Sequence, residues 1–160
     1  MITPVLIELF DKDLTRLAEE INLYTEDSEL WQVKEGTKNS GGNLCLHLTG
    51  NLLHFIGAVL GETGYVRNRN AEFSLKNIPR IKLLERIEDT KTVVKDTLEQ
   101  ISKKELEKMY PQQVLDEPVT TEMFLVYLIN HLNYHLGQIN YHRRMQPVQV
   151  QAVAEQEKLM

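Results

Sequence analysis

The chain has a single cysteine, Cys45, so no internal disulfide can staple it. Long hydrophobic runs are absent as well: nothing approaches the roughly 20 apolar residues that a membrane helix needs. The 18 Lys and Arg of its 160 residues cluster no more densely than in short pairs, and the net charge is −5. Neutralising nucleic-acid phosphates takes a concentrated basic surface, so neither nucleic acid nor membrane is expected as a partner. The stretch MITPVLIELFDKDL carries acids where a secretory leader would be basic, and cytoplasm is the expected address. Strand-like alternation is also missing. Proline is confined to Pro4, Pro79, Pro111, Pro118 and Pro147, all suited to a helix start or to a break between helices.

What is present is helical periodicity. Ile7, Phe10, Leu14, Leu17, Ile21 and Tyr24 recur at spacings of three and four, predicting a first helix over residues 4–24 with Thr3 as its cap. A connector ending in GTKNSGGN leads to a second helix over residues 43–60, stopped by Gly61. A third is expected over residues 77–102, with Leu84, Ile87, Val94, Leu98 and Ile101 inward, and a fourth over residues 120–145. The expected fold is therefore all-α: a four-helix bundle over residues 1–146, with long connectors after helices 1, 2 and 3. Residues 147–160 read as a tail, either a short helix or disordered.

Two of these helices carry polar seams. On the fourth, Thr121, Phe124, Leu128, His131, His135, Gln138 and His142 follow the three–four spacing and turn polar for their last four positions. On the second, Leu44, His47, Asn51, His54 and Ala58 do the same beside the apolar row Leu48, Leu52, Phe55 and Val59. Burying imidazoles without partners is costly, and a metal or a wet pocket would relieve that cost. His131 and His135, four residues apart, lie about 40° apart around a helix and can converge on one ion. His47 or His54 from the second helix would complete a three-histidine site with open positions for water or substrate. Position 132 is Leu, so the glutamate base of the HExxH metalloproteases is missing.

The segments NSGGNLCLHLTGNLLHFIG, RNRNAEF and HLNYHLGQINYHRR, with the helix order, resemble the DinB-like superfamily of four-helix-bundle proteins. They are also similar to the related thiol-dependent transferases and isomerases, such as the bacillithiol transferases and mycothiol-dependent maleylpyruvate isomerase. The resemblance covers most of residues 1–145. It implies a divalent metal, Zn or Ni first and Fe or Mn next, held by His47, His131 and His135. It further implies a homodimer acting on a small-molecule substrate with a low-molecular-weight thiol as cosubstrate. A metal-dependent hydrolase would use the same histidines with water in place of the thiol. A non-enzymatic, metal-binding dimeric bundle is the competing class.

The remaining polar residues are assigned by position. His54 and His142 each lie one heptad, about 10 Å, from a matched histidine, too far to bind the same ion. They are expected on the pocket wall or in proton transfer. Asn51 and Gln138, between the histidines, are candidates for outer hydrogen bonds to a ligand imidazole or to substrate. The loop holding Arg67, Arg69 and Glu72 is expected to leave helix two at the end opposite His47. Its arginines could grip an anionic cosubstrate or pair with Glu72. Cys45 points about 200° from His47 and reads as a small core residue. Trp31 is expected to cover the bundle from the first connector, and Tyr134 and Tyr141 to serve packing or a dimer face.

Overall fold

A computed structural model describes residues 2–146. The expected tail over residues 147–160 lies outside the described residues. Helix α1 is Thr3–Asn22, with Pro4 in its first turn and Leu6, Phe10, Leu14, Leu17 and Ile21 buried. The buried stripe begins at Leu6 rather than Ile7, and Ile2 rather than Thr3 takes the cap position. Helix α2 is Gly41–Leu52, capped by the Ser40 hydroxyl, which accepts from the Asn43 N–H. Every residue of α2 is buried, so it is wrapped on all sides. Gly42 makes this possible on one flank, because a Cβ there would run into the Trp31 ring.

Beyond Leu52 the helix continues as a π-helical turn, Leu53–Ala58. Val59 N–H donates to the His54 carbonyl at 3.0 Å and Gly61 N–H to the Ile56 carbonyl at 2.9 Å, each five residues back. This widened turn has no periodicity of its own, and residues 43–60 read simply as one α-helix. A short helix α3, Arg69–Ser74, capped by Asn68, interrupts the second connector. Helix α4 follows at Arg80–Gln100, α5 at Lys103–Glu107 and α6 at Thr121–Arg144. Met109 and Thr120 form an isolated bridge, and no strand is present among the described residues. No helix among them is long and apolar enough to cross a membrane.

Side-chain pairs fix the direction of each long helix. Asp11 meets Lys91 and the Asn22 carbonyl meets Arg80, so α1 and α4 are antiparallel. Asp13 meets Asn133 and Glu20 meets Arg143, so α1 and α6 are parallel. Thr49 bonds Arg86 and Gly57 faces Val93, so α2 and α4 are parallel. His47 against His131 and Phe55 against Phe124 make α2 and α6 antiparallel. The helices therefore run up, down, down, up. Two parallel neighbours cannot be joined by a tight turn, so the chain between α2 and α4 must travel back along the bundle. That return brings Arg67 and Glu72 to His47 instead of leaving them at the opposite end.

Candidate metal centre

The site sits between the middle of α2 and the middle of α6, closed on one side by α3. Imidazole nitrogens of His47, His131 and His135 all lie within 4.8 Å of one another. Ring centroids are 5.1 Å apart for His47 and His131, 5.2 Å for His47 and His135, and 4.6 Å for His131 and His135. His47 is buried and the two α6 histidines are half-buried, so the cluster is reached from solvent on the α6 side. The HxxxH spacing and the antiparallel crossing of α2 suffice to bring the three rings together.

The outer nitrogens fix how the rings face. His47 Nδ1 lies 3.0 Å from Glu72 Oε2. Glu72 is itself buried and gripped by Arg67, whose Nε reaches Oε1 at 2.7 Å and Nη2 reaches Oε2 at 2.8 Å. Arg67 Nη2 also lies 3.3 Å from His47 Nδ1. A guanidinium only donates and an ionised carboxylate only accepts, so we assign the Nδ1 proton to the bond with Glu72. That leaves the His47 Nε2 lone pair aimed into the cluster. His135 Nδ1 lies 2.6 Å from Gln138 Oε1, which gives His135 the same tautomer. His131 Nδ1 is buried with no hydrogen-bond partner among the described residues. Its Nε2 faces His47 Nε2 at 3.3 Å.

The electrostatics favour uncharged rings. Burial, then the neighbouring His135, His47 and Arg67, lowers the His131 pKa to about 4. Burial also lowers that of His135, against the opposing bond to Gln138. Burial pushes the Glu72 carboxyl up, but its bonds to His47 and Arg67 outweigh this and hold it below the ordinary range. Neutral imidazoles with inward lone pairs, one oriented by a carboxylate and one by an amide, are the donor set a divalent ion takes. The residues present thus fit such an ion.

Glu72 is the residue that sequence reasoning undervalued, as it was placed on a distant loop. Its position is built in: a Cβ on Gly50 would collide with Glu72 Oε1, so that glycine admits the carboxylate against α2. Asn43 Nδ2 donates to the carbonyls of Glu72 and Leu75, each at 2.9 Å, docking α3. The legible signal was RNRNAEF, a capped helical turn carrying one acid.

The other expected residues divide. Gln138 meets His135 as described. Asn51 is buried beside the cluster, yet bonds to no imidazole, and its Oδ1 has no partner among the described residues. His54 is half-buried against Phe55, with Nδ1 likewise unpartnered. Arg67 pairs with Glu72, while Arg69 lies over the Phe73 ring at 5.5 Å. His142 does not face the cluster. Tyr24 OH donates to its Nδ1 at 2.7 Å and its Nε2 donates to the Gln32 carbonyl at 2.7 Å, so it pins the end of α6 to the first connector. The heptad spacing gave its height along α6 but not the connector that claims it. Cys45 is fully buried and its thiol is pushed up to about 12 by burial. Trp31 covers Gly42 from the first connector, and Tyr134 and Tyr141 are exposed.

Residues 5–152 match the family described as protein of unknown function, DUF1572. The chain belongs to the DUF1572 family. This DUF1572 chain is also similar to a solved structure, the crystal structure of the conserved protein of locus from Enterococcus faecalis. That likeness has a TM-score of 0.69 and 18% identity, over 90% of this chain and 96% of the other. At that identity it speaks to the fold alone, an all-α bundle. A comparison with curated proteins gives no match.

Proposed function

We propose that this DUF1572 protein is a divalent-metal-dependent enzyme of the DinB-like type, with His47, His131 and His135 as the metal ligands. The observation that carries the proposal is the convergence of three imidazole nitrogens within 4.8 Å. It is supported by the carboxylate and amide that orient two of the rings from behind. Zinc or nickel suits three imidazoles best, with iron or manganese next.

The reaction proposed is transfer or isomerisation with a small external thiol. A bound ion at +2 would favour the thiolate of such a cosubstrate and leave a second position for the electrophile. The thiol has to come from outside, because Cys45 is sealed in the core and held protonated by burial. On the protein's side, Glu72 keeps His47 in its donor tautomer, and Gln138 does so for His135. Arg67 balances the Glu72 charge and holds the carboxylate in place. A homodimer belongs to the same reading and is measurable by sedimentation.

Elemental analysis of protein purified without added metal tests the core of this. The wild type should carry a stoichiometric divalent ion, and His47→Ala should lose it while keeping its helical spectrum. A wild type that neither carries nor takes up an ion sinks the proposal. With metal present, a panel of thiols against electrophiles tests the reaction. Turnover that persists without any thiol replaces transfer with hydrolysis.

A further inference from the structure

Aromatic rings stand beside each of the three clustered histidines. Phe73 of α3 packs against His47, with centroids 5.0 Å apart. Tyr127, one turn before His131 on α6, stacks toward it at 6.4 Å and 21°. Tyr134 meets the His135 ring edge-on at 5.1 Å. Arg69 lies over Phe73 and Phe124 stacks on Tyr127, yet no ring is sealed in: Phe73 is half-buried, Tyr127 is 39% exposed and Tyr134 65% exposed. Phe73 and Tyr127 come from different elements, Phe73 on α3 beside His47 and Tyr127 on α6 beside His131.

A second observation points to a ligand in the same place. The Arg67 guanidinium touches the His47–Glu72 pair and also lies over the Phe55 ring, 5.6 Å from its centroid. Between His47 and Phe55 the chain carries Asn51, at the end of α2, and His54, in the π-turn. These two residues hold buried polar atoms, Asn51 Oδ1 and His54 Nδ1, without a partner among the described residues. Asn51 is 7% exposed. An unpartnered polar atom one helical turn from His47, as Asn51 Oδ1 is, is what a site leaves for a polar group of its ligand.

We propose that the centre takes a ligand whose metal-binding head is carried directly on a flat apolar ring, held between Phe73 and Tyr127. The inference rests on the metal reading above and adds the class of substrate to it. Rings of this kind grip one another by offset or edge contacts in addition to the apolar area they cover. An aliphatic ligand of the same head would leave both walls bare.

Two hydroxamates that chelate a divalent ion alike but differ in the attached group, acetohydroxamate and benzohydroxamate, make the test. Each is titrated into the full chain loaded with cobalt(II), and the visible spectrum of the ion is followed. Benzohydroxamate should bind about tenfold tighter. Tyr127→Ala should bring that ratio close to one with cobalt still bound, and Phe73→Ala should do the same. If Phe73→Ala undocks α3 and loses cobalt, the exposed Tyr127 still decides the matter. Equal affinities in the wild type, or a preference that survives in Tyr127→Ala, overturn this inference alone. Failure of the wild type to bind cobalt overturns it together with the metal reading.

Discussion

His142 and the His47–His131–His135 cluster use the same side chain, and two of the cluster's members share α6 with His142, yet their surroundings are opposite. Both ring nitrogens of His142 are taken by the protein, one by the Tyr24 hydroxyl and one by the Gln32 carbonyl. In the cluster the outer nitrogens of His47 and His135 are engaged, one nitrogen of each of the three rings converges within 4.8 Å of the others, and His131 Nδ1 has no partner among the described residues. The first arrangement is complete without a ligand. The second brings together three nitrogens that could hold a metal ion. A histidine on an inward seam is thus read by where its second nitrogen goes, not by its spacing.

The comparison can be broken most severely at His47. His47→Ala should abolish metal binding, with content falling close to zero by elemental analysis. His142→Ala should leave the metal content at the wild-type level. Metal loss in both variants would mean that His142 supports the centre after all. Next in size is Glu72→Gln, which removes the charge behind His47 but keeps the shape of the side chain. It should weaken metal affinity roughly 10- to 100-fold in competition with a chelator. An unchanged affinity would reduce Glu72 to a loop anchor.

The third effect belongs to the structural histidine. His142→Ala leaves a buried Tyr24 hydroxyl and the Gln32 carbonyl without their partner. It should lower stability in urea unfolding by about 2–3 kcal/mol. A change below about 0.5 kcal/mol would make the pin dispensable. The last effect is on the pH dependence of the metal-free protein. His131 has a folded pKa of about 4, below its ordinary value of 6.5, because burial disfavours the charged ring. Between these values the unfolded chain takes up a proton that the folded chain refuses. Stability should therefore decline as pH falls from 6.5 to about 4. His131→Gln should flatten that window, and an unaltered profile would mean that other groups produce it.

The sequence carries the long helices plainly, because each stripe buries the residues its spacing marks: Phe10, Leu14, Leu17 and Ile21 on α1, Ile87, Val94 and Leu98 on α4. His131 and His135 were legible for the same reason, as four residues on a helix leave little freedom. Spacing left His47 and His54 open as the third ligand, and family resemblance favoured His47. The π-turn was hidden, since a widened turn contains the same residue types as an α-turn. The position of Glu72 was hidden too. It depends on α4 running parallel to α2, a fact of chain direction that no local pattern encodes, and on Gly50 making room. His142 was misplaced because its partners, Tyr24 and Gln32, come from the opposite end of the chain.

The central claim is that His47, His131 and His135 jointly hold one ion. X-ray absorption at the metal edge of the loaded chain tests it most directly. The account predicts three imidazole nitrogens at about 2.0–2.1 Å for zinc, falling to two in His47→Ala reloaded at high metal concentration. A shell without imidazole, or one unchanged by His47→Ala, would contradict it.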